Sequence, residues 1–166
     1  MIEAFAHVSR QDPNAYLLVV GSDEDGSGRA AQQLARCLGI SDRVHFTGLL
    51  KGDELLQAYA NSNLLVLFSC SESFGMVVAE AMAAGLPVLI SKEVGLAAEA
   101  EEAGAGLAVP ALVEEAAKAW AQLLKNRNRL NQMSIQGKLF AQKEFHIDHI
   151  SSVMIKFFSK VLKGKN

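Results

Sequence analysis

Cysteine is scarce in this chain of 166 residues. Cys37 and Cys70 stand alone, and neither belongs to a paired metal-binding or redox motif. Their isolation excludes a disulfide framework and favours a reducing, cytoplasmic compartment. The chain also lacks a strong excess of either charge, because 16 Lys and Arg residues against 18 Asp and Glu residues give a formal net charge of −2. This balance, without a basic stripe, argues against capture of nucleic acid or anionic lipid by charge alone.

Long hydrophobic runs are absent as well. The longest candidate, residues 76–90, is interrupted by Glu80, Gly85 and Pro87, and a membrane span needs roughly 20 apolar residues. The start of the chain lacks the charged and apolar regions of a secretory signal. Half of the residues are nevertheless apolar, so a chain of this length can bury a full core as about one domain.

Short apolar runs alternate with longer helical patterns along the chain. Residues 16–20 are apolar throughout, which predicts a strand buried on both faces, and residues 64–68 predict another buried strand. Shorter strands are predicted at residues 44–46, 88–90 and 107–109.

Helices are predicted between these strands and after them. They cover residues 2–10, 29–38, 53–60 with Asp53 as cap, 74–84 stopped by Gly85 and Pro87, an Ala/Glu-rich segment before residue 107, and residues 112–124, 127–143 and 147–162. This alternation implies right-handed crossovers. The expected fold class is therefore α/β, a Rossmann-like parallel sheet with helices on both faces, and residues 112–166 form its helical C-terminal tail.

Two loops lie where such sheets bind ligands, beyond the carboxyl ends of strands. The first, residues 21–28, is neither a dinucleotide fingerprint nor a Walker loop. An acidic surface loop and a ligand wall both remain open for it. The second, residues 69–75, leads into the helix expected from Phe74. Cys70 within it is expected to be a buried small side chain.

The second loop predicts an anion site. Ser71 or Ser73 can cap the helix, and Gly75 removes side-chain bulk where the chain enters it. The free N–H groups of residues 74–77 then point out of the positive end of the helix, which suits a diphosphate.

Two carboxylates, Glu72 and Glu80, flank this expected anion site. Ionised carboxylates only accept hydrogen bonds, so sugar hydroxyls are more natural partners for them than phosphate. The Glu80 side chain leans back toward the helix start, where it can reach a ribose, and Glu72 can reach hydroxyls on the other side. The pattern predicts a site for a nucleotide-diphosphate sugar.

The stretch SESFGMVVAEAMAAGLPV, residues 71–88, resembles the donor-binding motif of retaining GT-B glycosyltransferases in the large family four group. The resemblance extends over residues 1–125, including residues 2–6, 17–21, 44–48 and 104–110. It implies the C-terminal half of a GT-B fold. It also implies sugar transfer with retained anomeric configuration from a UDP- or GDP-linked donor, with no obligatory metal and no other cofactor.

The resemblance also assigns roles to individual residues. Glu72 takes the catalytic position, holding donor-sugar hydroxyls near the reacting carbon, and Glu80 binds the ribose. The remaining implied donor-binding residues support the diphosphate or face the base, with backbone recognition by Leu50, and they are Gly21, Gly48, Leu50, Lys51, Ser73, Phe74, Gly75, Met76 and Val77.

The chain also departs from the family pattern. Family members carry an Arg and a Lys on a strand upstream of the helix matched by residues 2–6, and they carry an acceptor-binding domain. Residues 1–166 are therefore expected to be one donor-binding domain, shortened at its N-terminus and inactive alone, with Arg43, Lys51 and Lys92 as possible helpers. If the family strand order holds, the strands at residues 16–20 and 64–68 must pair directly or be met by another chain, which would give self-association.

Several alternatives stay open. The expected acceptor is a glycan or a lipid-linked sugar, as in cell-surface polysaccharide or glycolipid synthesis. A non-catalytic nucleotide-sugar-binding or regulatory module, or a fragment of a related sugar epimerase, would fit the same motif. Residues 147–162 place apolar side chains at helical spacing among Lys156, Lys160, Lys163 and Lys165. This pattern fits a packing or domain-interface helix, or peripheral contact with the inner face of a membrane.

Overall fold

Short parallel strands and helices alternate in the structure, a computed structural model that describes residues 1–163 apart from the side chains of residues 161 and 163. The strands are β1 Leu17–Val20, β2 Val44–Gly48, β3 Leu65–Leu67, β4 Val88–Ser91 and β5 Gly106–Val109. The helices are α1 Ile2–Gln11, α2 Ser27–Cys37, α3 Gly52–Asn61, α4 Met76–Ala84, α5 Ala97–Glu102, α6 Val113–Lys125, α7 Arg127–Glu144 and α8 Ile147–Lys163, with a 3₁₀ turn at Ser41–Arg43.

All strand pairs in the described residues are parallel, and helices pack on both sides of them. Strand β1 pairs with β2, and β3, β4 and β5 form a second sheet in that order. Helix α1 packs against α2 and α6, whereas α4 packs against α3 and α7. The predicted Rossmann-like α/β class is confirmed.

The sheet is divided, because no hydrogen bonds join β1 to β3 within the described residues. The expectation that these two strands pair directly is wrong. Side-chain packing joins the two sheets instead, since Leu17 of β1 and Leu89 of β4 share one core cluster with Phe5 and Trp120. The rings of Phe5 and Trp120 lie 5.4 Å apart. Whether another chain meets the open edges stays a prediction.

Strand β1 is buried on one face only. Leu17 is buried, but Leu18 and Val20 are 41% and 39% exposed. The expectation of burial on both faces is wrong here, because only the side of β1 that contacts the shared core is covered. The residues of β3 are half-buried.

Two predicted helix starts differ from the structure. Helix α4 begins at Met76, two residues later than expected, with Gly75 in a left-handed conformation at φ +88° as its N-cap. Helix α3 begins at Gly52, and Asp53 lies in its first turn without capping it. The predicted end of α4 is confirmed, since Gly85 terminates it at φ +79°.

Helix α8 does not contribute to the core of this chain. Its described apolar side chains are exposed, including Phe157 at 61% and Phe158 at 53%. Packing within the chain is therefore wrong for this helix, and the domain-interface and membrane alternatives stay predictions. Lys165 lies outside the described residues. None of the helices in residues 1–163 is both long and apolar enough to cross a membrane.

Candidate functional site

The loop between β3 and α4 is held by the segment that follows β4. The Glu72 amide donates to the Glu93 carbonyl at 3.2 Å, and the Gly95 amide donates to the Glu72 carbonyl at 2.8 Å. A third bond runs from the Leu96 amide to the Phe74 carbonyl at 3.1 Å. These bonds fix the backbone on both sides of the expected anion site.

Gly95 is required by this close approach. A Cβ at this position would collide with the Ser73 carbonyl oxygen and would lie 2.9 Å from the Phe74 Cα. Both are main-chain atoms, so no side-chain rotation relieves the overlap. Sequence reasoning missed Gly95, although a glycine just beyond the carboxyl end of β4 was a usable signal.

A buried serine fixes the start of the same loop. Ser91, the last residue of β4, is fully buried. Its Oγ donates to the Ser69 carbonyl at 2.7 Å and accepts from the Ser69 amide at 3.0 Å. The carboxyl ends of β3 and β4 are thereby joined where the loop leaves the sheet. Sequence reasoning missed this contact too.

The N-terminus of α4 is not capped by a serine. The Gly75 amide donates to Oε1 of Glu72 at 3.2 Å, and no side chain caps the helix. The predicted capping by Ser71 or Ser73 is therefore wrong, and the Gly75 amide is not free. Of the amides of residues 74–77, the other three, those of Phe74, Met76 and Val77, have no hydrogen-bond partner within the part of the chain that the structure describes. They form a donor set at the positive end of α4.

An apolar rim borders these amides. Phe74 is 41% and Met76 63% exposed. The Phe74 ring meets that of Phe145, just after α7, edge to face at 6.0 Å. Cys70, in the same loop, is exposed, so the expectation of its burial is wrong.

Glu80 is the fifth residue of α4, so its Cα lies about 6 Å along the axis from that of Met76. The residue is exposed, and its Oε2 accepts a hydrogen bond of 2.9 Å from the hydroxyl of Tyr59 on α3. Burial, and then this bond, raise the pKa of Tyr59 well above its usual range. Tyr59 is another residue that sequence reasoning missed.

Gly21 and Gly48 lie together at the carboxyl ends of β1 and β2. The Gly21 amide donates to the Gly48 carbonyl at 3.0 Å, and both residues line a cavity of about 620 Å³. Further along this loop, Leu50 is half-buried and Lys51 is exposed. Neither the amide nor the carbonyl of Leu50 has a partner within residues 1–163.

The loop at residues 21–28 also lines this cavity. The amides at the start of α2, however, are bonded to a carboxylate of this same loop. Asp23 accepts from the amides of Gly28 at 2.6 Å and Arg29 at 3.2 Å, and it pairs with the Arg29 guanidinium at 3.3 Å. Two amides in the first turn of α2 are therefore occupied by Asp23, whereas at the start of α4 Glu72 occupies only the Gly75 amide, so α2 offers fewer free donors to an anion.

The three basic residues expected to assist the site lie at different ends of their strands. Arg43 lies at the amino end of β2 and donates to the Ser9 carbonyl at 3.1 Å, so the expectation that it assists the site is wrong. Lys51 immediately precedes α3, and Lys92 directly follows β4. Both are exposed, at the carboxyl ends of their strands.

Comparison with known proteins places this geometry in context. Residues 1–140 match the family model described as glycosyl transferases group 1. A D-inositol 3-phosphate glycosyltransferase from Nocardia farcinica is 34% identical, over 98% of this chain and 37% of the relative. The chain thus spans little more than a third of that relative's length.

Two solved structures share the fold at useful sequence identity. Sucrose-phosphate synthase from Thermosynechococcus elongatus has a TM-score of 0.84 and 28% identity, covering 98% of this chain and 42% of its own. HepE from Anabaena, solved in complex with UDP-glucose, has a TM-score of 0.83 and 25% identity, covering 96% of this chain and 44% of its own.

Proposed function

Because the chain belongs to the glycosyl transferases group 1 family, we propose that it binds the nucleotide-diphosphate sugar donor of a glycosyltransferase. The observation that carries this proposal is the start of α4, where the amides of Phe74, Met76 and Val77 have no partner within the described residues. In the sequence these residues lie between Glu72 and Glu80. A UDP- or GDP-linked sugar supplies the matching groups, with a diphosphate between two sets of hydroxyls.

The amides at α4 would stabilise the diphosphate most strongly as it departs. When the bond between the sugar C1 and the phosphate oxygen breaks, negative charge grows on that oxygen. Helix N-termini favour anions through oriented N–H groups, and donors placed where charge develops lower the barrier to reaction. Lys51 and Lys92, exposed beyond the carboxyl ends of β2 and β4, would add positive charge. The proposal includes no obligatory metal.

Glu72 would hold the donor sugar. Its Oε1 already accepts the Gly75 amide at 3.2 Å, and a carboxylate has capacity for further hydrogen bonds. A sugar hydroxyl can therefore bind while the loop keeps its shape. The proposed role is to orient the sugar for transfer with retained configuration, and Glu80 would read the ribose.

The acceptor would be bound by residues outside this chain, which spans 37% of the Nocardia relative. We propose a glycan or a lipid-linked sugar as acceptor, in polysaccharide or glycolipid synthesis. Residues 1–166 alone should then bind donor without transferring sugar. Transfer of sugar from the donor to an added acceptor by the isolated chain would contradict this proposal.

Isothermal titration calorimetry with UDP, GDP and ADP tests the donor site. We expect at least one diphosphate to bind, and Glu80→Ala to weaken it at least about tenfold, because hydrogen bonds to a charged group contribute about 1.5–3 kcal/mol. Glu115→Ala is the matched control, since Glu115 is an exposed helical glutamate on α6. Absence of binding to all three nucleotides, or equal affinities for both variants, would refute the proposal.

Contact with a membrane surface follows if the acceptor is lipid-linked. Helix α8 exposes an apolar side with Phe157 and Phe158, and it carries Lys156 and Lys160. Helices with this division lie in the interface of anionic membranes. Flotation with liposomes containing anionic lipid should recover the wild type but not Phe157→Asp. Failure of the wild type to float would remove the membrane contact from the proposal.

A further inference from the structure

Tyr59 is a buried side chain whose hydroxyl makes a hydrogen bond to Glu80. The residue is 8% exposed, and its ring belongs to the core cluster that contains Val78 and Met82. Its hydroxyl donates to Glu80 Oε2 at 2.9 Å. Phenylalanine would keep the ring in this core and would remove only the bond to Glu80.

The direction of this bond is fixed by chemistry. An ionised carboxylate only accepts, so the tyrosine must be the donor. Burial and the neighbouring carboxylate raise the pKa of Tyr59, which keeps the hydroxyl protonated throughout the neutral range. A glutamate exposed on a helix otherwise samples several rotamers, and the bond removes this freedom before any ligand arrives.

The second oxygen of Glu80 remains available. Oε1 has no hydrogen-bond partner in the described residues, and no Lys or Arg there lies within ion-pair distance of the carboxylate. We propose that Tyr59 is a positioning residue that orients Glu80 so that its free lone pairs accept both hydroxyls of a ribose cis-diol. This inference rests on the proposed donor-binding function and adds to it a source of selectivity for ribose over deoxyribose.

The same bond joins the helix that follows β2 to the helix that follows β3. Tyr59 lies on α3, which follows β2, whereas Glu80 lies on α4, which follows β3. The loop expected to face the base, residues 48–51, leads directly into α3. Tyr59 therefore fixes the position of the Glu80 carboxylate relative to the loop expected to face the base, in addition to its position on α4.

The test compares Tyr59→Phe with Tyr16→Phe, the only other tyrosine in the chain. Tyr16 is 64% exposed and stacks on His45, so its loss controls for removal of a hydroxyl. For whichever of UDP, GDP and ADP the wild type binds, calorimetry gives the affinity ratio between that nucleotide and its 2′,3′-dideoxy form. Thermal unfolding verifies that both variants are folded.

We expect the wild type and Tyr16→Phe to prefer the ribose form at least about tenfold, in line with the energy of hydrogen bonds to a charged acceptor. Tyr59→Phe should lower this preference about fivefold or more while changing the affinity for the dideoxy form less than about twofold. An unchanged preference, or an equal loss for both nucleotides, overturns the positioning role alone. Absence of nucleotide binding by the wild type overturns the proposed function and this inference together.

Discussion

Replacement of Ser91 by alanine separates the support of the site from the core beneath it. Ser91 is fully buried, and its hydroxyl makes two hydrogen bonds with the backbone of Ser69, of 2.7 and 3.0 Å. Each bond contributes about 1 kcal/mol, and a buried polar group left without a partner costs about 1–3 kcal/mol. Because Ser69 is half-buried, water can satisfy part of its backbone. We therefore expect Ser91→Ala to lower the free energy of unfolding by about 2 kcal/mol.

Ser9 offers a matched control, since it is also a buried serine. Its Oγ donates to the Ala6 carbonyl at 3.1 Å, which is one helical turn away, and no backbone group depends on it. Ser9→Ala should cost less than about 1 kcal/mol, because alanine also favours the helix. Urea unfolding followed by circular dichroism measures both variants, and calorimetry should show weaker nucleotide binding only for Ser91→Ala. Equal destabilisation of the two variants within about 0.5 kcal/mol would refute the reasoning.

Three further predictions concern other contacts. Gly95→Ala should destabilise the chain by about 1–3 kcal/mol through overpacking against the Ser73 backbone and abolish nucleotide binding. The control is Gly39→Ala, since Gly39 has φ +69° and open space around it. This variant should lose about 1 kcal/mol of stability through backbone strain and keep its nucleotide binding in calorimetry. Equal losses of nucleotide binding by the two glycine variants would contradict the prediction. Because the pKa of Tyr59 is raised in the folded state, the free energy of unfolding should fall as pH rises above about 10. Urea titrations should show a less steep fall for Tyr59→Phe than for the wild type. Equal pH dependence of the two proteins would contradict this prediction. If the open edge of β1 recruits a second copy, sedimentation velocity should show a dimer that Leu18→Lys abolishes, and a wild-type monomer at every concentration excludes this.

The elements themselves could be predicted from the sequence because their signals are local. Continuous apolar runs predict the strands, and glycine and proline after residue 84 predict the end of α4, where Gly85 adopts φ +79°. The alternation of strand and helix then fixes the parallel class through chain connectivity. Helix starts were less accurate, since a glycine N-cap such as Gly75 carries no side-chain signal comparable to that of a serine.

The contacts that shape the site could not be predicted in this way, because each joins residues far apart in sequence. Ser91 meets Ser69 across 22 positions, and Tyr59 meets Glu80 across 21. Hydrophobic period and residue type at Tyr59 predict burial, but they do not specify where the hydroxyl points. The motif therefore predicts an anion site at the start of α4 with Glu72 and Glu80 on either side in the sequence, whereas the residues that hold this loop in place are visible only in the three-dimensional structure.

The divided sheet changes what can hold the parts of the proposed site in register. In a continuous sheet, main-chain hydrogen bonds between neighbouring strands fix the relative height of their loops. Here β1–β2 and β3–β4–β5 lack such bonds to each other in the described residues, so the loop at Gly48 and the loop at Glu72 depend on side-chain contacts. Packing in the shared core restricts their separation but tolerates small sliding. The Tyr59–Glu80 bond, made between helices that follow different sheets, supplies a directional restraint that apolar packing lacks.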